Sequence, residues 1–236
     1  MTSFITPDQD ITFKKSVSLN LWLALFISLQ ILTPLCNYLL KQLGAAGNFV
    51  PLYAKIAADS FLLSVSLLLL LRKGVSIGER LEAYKKNAPR DILASLAIAG
   101  LGLLLGYTLI HFNAHGQVFS VNATSLSNLI SESGGGLSYV GVALIIIGYC
   151  LLVPAMEEVF FRRLLYVSLR HKYSLFRSIL VNSLLFGAIH PDSVLFTIIF
   201  SVMQCYVYER FGRVSVNILS HLIFNSTVIG LAFLGV

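Results

Sequence analysis

Apolar stretches of roughly 20 residues recur from residue 17 to the end of this chain, and that is the length a helix needs to cross a bilayer. Seven are legible, near 17–41, 50–71, 91–113, 137–169, 175–190, 192–210 and 213–235, the fourth overlong and the fifth short. Pro191 and Asp192 divide the fifth from the sixth, because proline cannot continue a helical hydrogen-bond ladder. Only 12% of the 236 residues are charged and 56% are hydrophobic, whereas a soluble domain carries roughly 25% charged residues. The expected fold is therefore all-α: a polytopic membrane bundle of about seven transmembrane helices, forming a single membrane domain over residues 1–236.

The net charge of +6 does not point to nucleic acid, since the basic residues lie in short segments between the apolar runs. Lys14 and Lys15 precede the first run, and Arg72, Lys73, Arg80, Lys85, Lys86 and Arg90 surround the second loop. Arg170, Lys172 and Arg177 follow the fourth run, and Arg210 and Arg213 flank the sixth loop. Segments 42–49 and 114–136, the Pro191 turn and the C-terminus carry no Lys or Arg. The positive-inside rule then predicts a cytoplasmic N-terminus and an external C-terminus. The first run is too long for the core of a cleaved signal and reads as an uncleaved anchor. Residues 73–90 read equally as an interfacial amphipathic helix or a polar loop. Segment 114–136 reads as a mobile external loop, and Gly102 and Gly106 as a close helix contact. Cys36, Cys150 and Cys205 lie inside apolar runs without Cys-x-x-Cys spacing and read as inert buried thiols.

Polar residues inside the apolar runs carry the functional information, because ionisable groups in hydrocarbon are costly and need a reason. Three short patterns stand in the last third of the chain: Glu157-Glu158-x-x-x-Arg162, Phe186-x-x-x-His190 and His221-x-x-x-Asn225. Glu158 and Arg162 share a helix face and can pair, while Glu157 points about 100° away and is free for another role. If the fourth helix runs on to Arg170, Glu157 lies roughly 20 Å from its end. His190 lies roughly 22 Å from the start of the fifth run, and His221 and Asn225 roughly 12 and 18 Å from Arg213. Three helices thus bring polar groups to comparable depth. Each pattern also has a bland reading: an acidic helix end, a cap before Pro191, or interhelical hydrogen bonds. Lys55 and Asp59 read as a snorkelling lysine with its counter-ion, with a relay as the alternative. Asn20, Asn182 and Gln204 read as packing groups.

The chemistry that suits the set is hydrolysis by an activated water. A buried carboxylate can take a proton from water near neutral pH, a histidine can orient that water, and a His and an Asn one turn apart can hold an oxyanion. Neither Gly-x-Ser-x-Gly nor His-Glu-x-x-His occurs, which disfavours a serine nucleophile and a zinc-protease helix.

In this order and spacing the three patterns resemble the motifs of the CPBP family, the type II CAAX prenyl endopeptidases with their Abi, bacteriocin-processing and immunity branch. The resemblance covers about residues 137–230. It implies an intramembrane glutamic endopeptidase in which Glu157 is the general base and His190 helps activate water. By the same carry-over His221 and Asn225 form the oxyanion hole, with Glu158, Arg162 and Phe186 in support. It implies peptide or prenylated and otherwise lipidated peptide substrates near the cytosolic leaflet, membrane lipids as surroundings, and a multi-pass protein of a bacterial cell membrane. No cofactor is expected, although Glu, His and His would permit zinc. The alternatives are a non-catalytic bacteriocin-immunity or scaffold protein using the same cavity, and a small proton-coupled transporter.

Overall fold

The computed structural model describes residues 16–45, 49–111 and 139–234. Lys14, Lys15, the loop 114–136 and the last two residues lie outside the described residues. Among the described residues, seven long helical segments follow in order: α1 (Leu19–Gln42), α2 (Val50–Arg72), α3 (Ile77–His111), α4 (from Tyr139 to Arg170), α5 (Leu175–Ala188), α6 (Val194–Phe211) and α7 (Val214–Leu234). Six of them contain a stretch long and apolar enough to cross a membrane, and α5, at 14 residues, is the short one. The chain is an integral, multi-pass, all-α membrane protein.

Local sequence sets the helix ends. Ser18 caps α1, its Oγ accepting a hydrogen bond from the Leu21 amide at 3.2 Å. Ser76 does the same for Glu79 at the start of α3. That start differs from the expected third run: residues 77–90 are neither a separate interfacial helix nor a loop but the first turns of α3, which passes through Pro89 without ending. Gly212 closes α6 at φ +65°, a left-handed conformation that glycine adopts without penalty, and its amide donates to the Tyr208 carbonyl at 2.8 Å.

α4 is the axis of the bundle. It runs from Tyr139 to Arg170 through alternating α and π turns, with π segments over Ile146–Leu152 and Glu158–Tyr166. Such wide turns are rare in helices and concentrate at functional sites. Every residue from Glu157 to Leu169 is buried. α3 with α7, α1 with α2, α4 with α7 and α5 with α6 make the most extensive contacts, and α1, α2, α5, α6 and α7 all pack on α4. Trp22, the one buried residue of α1, stacks on Phe160 at 5.1 Å and donates from Nε1 to the Phe160 carbonyl. The outer face of α1 presents Leu23, Ile27, Ile31, Leu35 and Leu39, one turn apart, as a lipid-facing ridge. Gly102 lets α3 approach closely, since a Cβ there would lie 3.1 Å from the Phe200 ring.

Charged side chains tie the basic ends together. Arg170 and Tyr166 of α4 both bind Glu209 of α6. Arg213 pairs with Asp91 of α3, and Arg90 lies over the Phe211 ring at 5.2 Å. Deeper, Asn217 and Ser220 of α7 hydrogen-bond Gln204 of α6, and Asn182 donates to the Phe161 carbonyl at 2.8 Å. Asn182 and Gln204 are thus interhelical packing groups, as read from the sequence.

Candidate active site

The fourth helix does continue to Arg170, so the Glu157-Glu158 pair is not a surface helix end. Glu157 is 5% exposed, and Glu158 and Arg162 are wholly buried. Burying a guanidinium is tolerable only with a partner. Glu158 Oε2 provides it at 3.1 Å, and the Phe186 ring lies under the Arg162 guanidinium at 4.4 Å.

Three helices then converge on Glu157. Its Oε1 lies 3.9 Å from His190 Nε2, at the end of α5, and its Oε2 lies 4.0 Å from His221 Nε2, in the middle of α7. Both separations exceed a hydrogen bond and leave space that one water can bridge. The other nitrogen of each ring is already engaged. His190 Nδ1 is 2.8 Å from the Phe186 carbonyl, and His221 Nδ1 is 2.9 Å from Glu158 Oε1. A carbonyl and an ionised carboxylate only accept, so both Nδ1 atoms carry hydrogen and both Nε2 atoms face Glu157. For His190 the two sequence readings coincide: the side chain caps the last turn of α5 and also reaches the cavity.

Asn225, one turn beyond His221, donates from Nδ2 to the Tyr149 carbonyl at 2.9 Å. An amide nitrogen carries two hydrogens, so one remains for the cavity that Asn225 lines. The cavity is about 560 Å³ and is walled by Glu157, His190, His221 and Asn225, with Phe186, Phe200 and Phe224 as its apolar side. Its size suits a short peptide segment. The Phe186 ring stacks near His190 at 4.7 Å and Phe200 lies 5.4 Å from His221, which restricts both imidazoles.

Residues 139–227, the stretch that supplies Glu157, Glu158, Arg162, Phe186, His190, His221 and Asn225, match the family model described as type II CAAX prenyl endopeptidase Rce1-like. Over these residues the chain is similar to that family, whose motifs the sequence resembles. The Bacillus subtilis (strain 168) protein named "Putative membrane peptidase YdiL" is 31% identical over 91 residues. That alignment spans 37% of this chain and 37% of the relative. No solved structure matches the chain.

The matched stretch covers α4, α5, α6 and most of α7, and α1 to α3 add residues that the motifs do not contain. Lys55 and Asp59 of α2 line the same cavity as Glu157, where the sequence had suggested a snorkelling pair. Tyr149, in the first π segment, supplies the carbonyl that orients Asn225. The bond between Glu158 and His221 was also not anticipated. Among the described residues no group of three or more His, Cys, Asp or Glu is arranged to hold a metal ion.

Proposed function

We propose that this protein is an intramembrane, metal-independent endopeptidase in which Glu157 activates a water to cleave a peptide held in the cavity. The observation that carries the reading is the placement of two imidazole Nε2 atoms about 4 Å from the two oxygens of one buried carboxylate. Water bound between Glu157 and His190 donates to both and loses a proton to Glu157 as its oxygen attacks the scissile carbonyl carbon. The carbonyl oxygen becomes an oxyanion, and the second Nδ2 hydrogen of Asn225 is positioned to stabilise it. His221 joins that role when its ring is doubly protonated, because Nδ1 is committed to Glu158 and only the imidazolium has a hydrogen on Nε2. Glu157 then returns the proton to the leaving amine as the tetrahedral intermediate collapses.

The cavity walls lie about 10–25 Å from the helix ends that carry the basic residues, counting 1.5 Å per residue. That depth supports cleavage within the bilayer rather than at its surface, with a cytoplasmic N-terminus as the orientation. Peptides, including lipidated ones, are the substrate class, in keeping with the family that residues 139–227 resemble. The test is to reconstitute the protein in lipid and incubate it with a library of lipidated and unlipidated peptides, with and without a chelator. The proposal requires cleavage that a chelator leaves intact. Chelator-sensitive cleavage restored by zinc overturns the metal-free mechanism, and no cleavage of any peptide favours a non-catalytic immunity or scaffold role.

A further inference from the structure

α1 is apolar along most of its length, yet Gln30, Thr33 and Asn37 recur on it at the spacing of one helix face. Polar groups inside a membrane span are costly and need a reason. Ser28 carries its own, since its hydroxyl donates to the Ala24 carbonyl one turn earlier at 2.8 Å. Thr33 makes no such bond among the described residues, and with Gln30 it lines the cavity that holds Glu157.

Pro34 adds a third group to the same wall. It lies inside α1 and also lines the cavity. Proline has no N–H, so the Gln30 carbonyl lacks the amide four residues on that would otherwise bind it. Little more than one turn of α1 therefore carries an amide, a hydroxyl and a released carbonyl, which are donors and acceptors without charge.

These groups stand at the depth of the candidate base. Counting 1.5 Å per residue from Leu19, Gln30 and Thr33 lie roughly 17 and 21 Å along α1, and Glu157 lies roughly 20 Å from Arg170. Trp22, two turns before Gln30, fixes α1 on α4 through the Phe160 carbonyl. Among the described residues α1 makes no extensive contact with α5. The cavity lies between them, with Ile189 and His190 on the far wall.

An extended peptide carries N–H and C=O groups that lose their water on entering such a cavity, and each one left unpaired is costly. Uncharged groups that both donate and accept match a peptide main chain. They offer nothing in particular to an apolar tail or a charged side chain. We infer that the Gln30 side chain, the Thr33 hydroxyl and the Gln30 carbonyl bind the main chain of the substrate peptide, holding an extended segment between α1 and Glu157. This rests on the peptidase reading. Binding through the main chain sets which peptide bond lies at Glu157 and leaves the flanking side chains free to vary.

The test measures binding apart from cleavage. Protein carrying Glu157→Gln, which is not expected to turn peptides over, is held in lipid nanodiscs and exposed to the library of lipidated and unlipidated peptides. Retained peptides are identified by mass spectrometry. The best retained peptide is then titrated, both unmodified and with each backbone amide N-methylated in turn. Adding Gln30→Leu or Thr33→Val is expected to weaken binding about two- to tenfold, the worth of one hydrogen bond. Ser28→Ala leaves it unchanged. N-methylation at one or two positions weakens binding to the starting protein, and in Gln30→Leu the penalty at one of them disappears. Pro34→Ala returns an amide to the Gln30 carbonyl, so it raises the unfolding temperature while weakening binding. A purely structural role for Pro34 would move stability and binding in the same direction.

The inference is overturned if both side-chain variants bind as the starting protein does, if their N-methylation profiles match its profile, or if no peptide is retained. Pro34→Ala that binds normally removes the carbonyl from the wall. In the protein with Glu157 restored, the same α1 variants raise KM with kcat near the parent, because the main-chain bonds are made before and during reaction alike. Peptides retained through α1 but never cleaved by the parent leave the binding wall standing and sink the peptidase reading. Cleavage with KM unchanged in the α1 variants does the reverse.

Discussion

Glu158 Oε1 lies 2.9 Å from His221 Nδ1, although the two residues are 63 positions apart and on different helices. The same carboxylate binds Arg162 through its other oxygen. One buried group therefore fixes the ring of His221 and neutralises a wholly buried guanidinium. The neighbouring Glu157 keeps its oxygens facing the cavity. The adjacent glutamates divide the work between holding the site and facing it.

This division predicts different behaviour for the two. Removing the carboxylate in Glu158→Leu leaves Arg162 buried without its counter-ion, and breaking such a pair costs about 3–5 kcal/mol. Thermal unfolding in detergent checks this. The double replacement Glu158→Leu with Arg162→Met removes both charges and recovers most of the stability, because a well-packed apolar pair is often neutral relative to an ion pair. Activity is not recovered, since His221 has lost its partner.

Asn225→Leu is expected to lower kcat by about 10²–10³, the range for losing one oxyanion donor, while KM changes little. The protein still folds, because α4 and α7 also pack extensively side by side and keep the bond between Glu158 and His221. Steady-state kinetics on a cleaved peptide separates the two parameters. A change confined to KM would assign Asn225 to substrate binding instead.

His190→Ala is expected to reduce cleavage by about 10²–10⁴, the span typical for a positioned acid–base group. His190→Gln keeps a hydrogen bond to the Phe186 carbonyl and so preserves the end of α5, but it restores little activity. Comparing their unfolding temperatures with their rates separates the helix cap from the chemistry.

Gly187 tests the packing that brings α5 against α6. A Cβ there would collide with Ile198 Cγ1. Gly187→Ala should destabilise the protein by about 1–3 kcal/mol, as overpacking does. Adding Ile198→Ala removes the colliding atom and should restore much of the loss. Unfolding of the single and double variants in one detergent measures both.

Much of this arrangement is legible in the sequence, for identifiable reasons. The apolar runs give the helices because only closed helical hydrogen bonding suits hydrocarbon. The spacing of Glu158 and Arg162 gives their pairing because i and i+4 share a face. The π turns of α4 carry no such signal, and they were read as ordinary α turns. The bond from Glu158 to His221 depends on how α7 is rotated against α4, which spacing within one helix does not encode. The placement of Lys55 and Asp59 was missed for a similar reason: α2 is apolar nearly all round, so its sequence does not say which side faces the cavity. The early part of α3 reads as a separate amphipathic helix or a loop because residues 73–90 mix apolar side chains with charges, whereas α3 is continuous from Ile77 through Pro89.

The central claim is that Glu157 activates the attacking water, and Glu157→Gln tests it most directly. The substitution keeps the size of the side chain and removes the base. With folding of parent and variant matched in the same lipid, the account predicts that cleavage of a peptide turned over by the parent falls to background in Glu157→Gln. Cleavage that persists in Glu157→Gln at a rate comparable to the parent would contradict it.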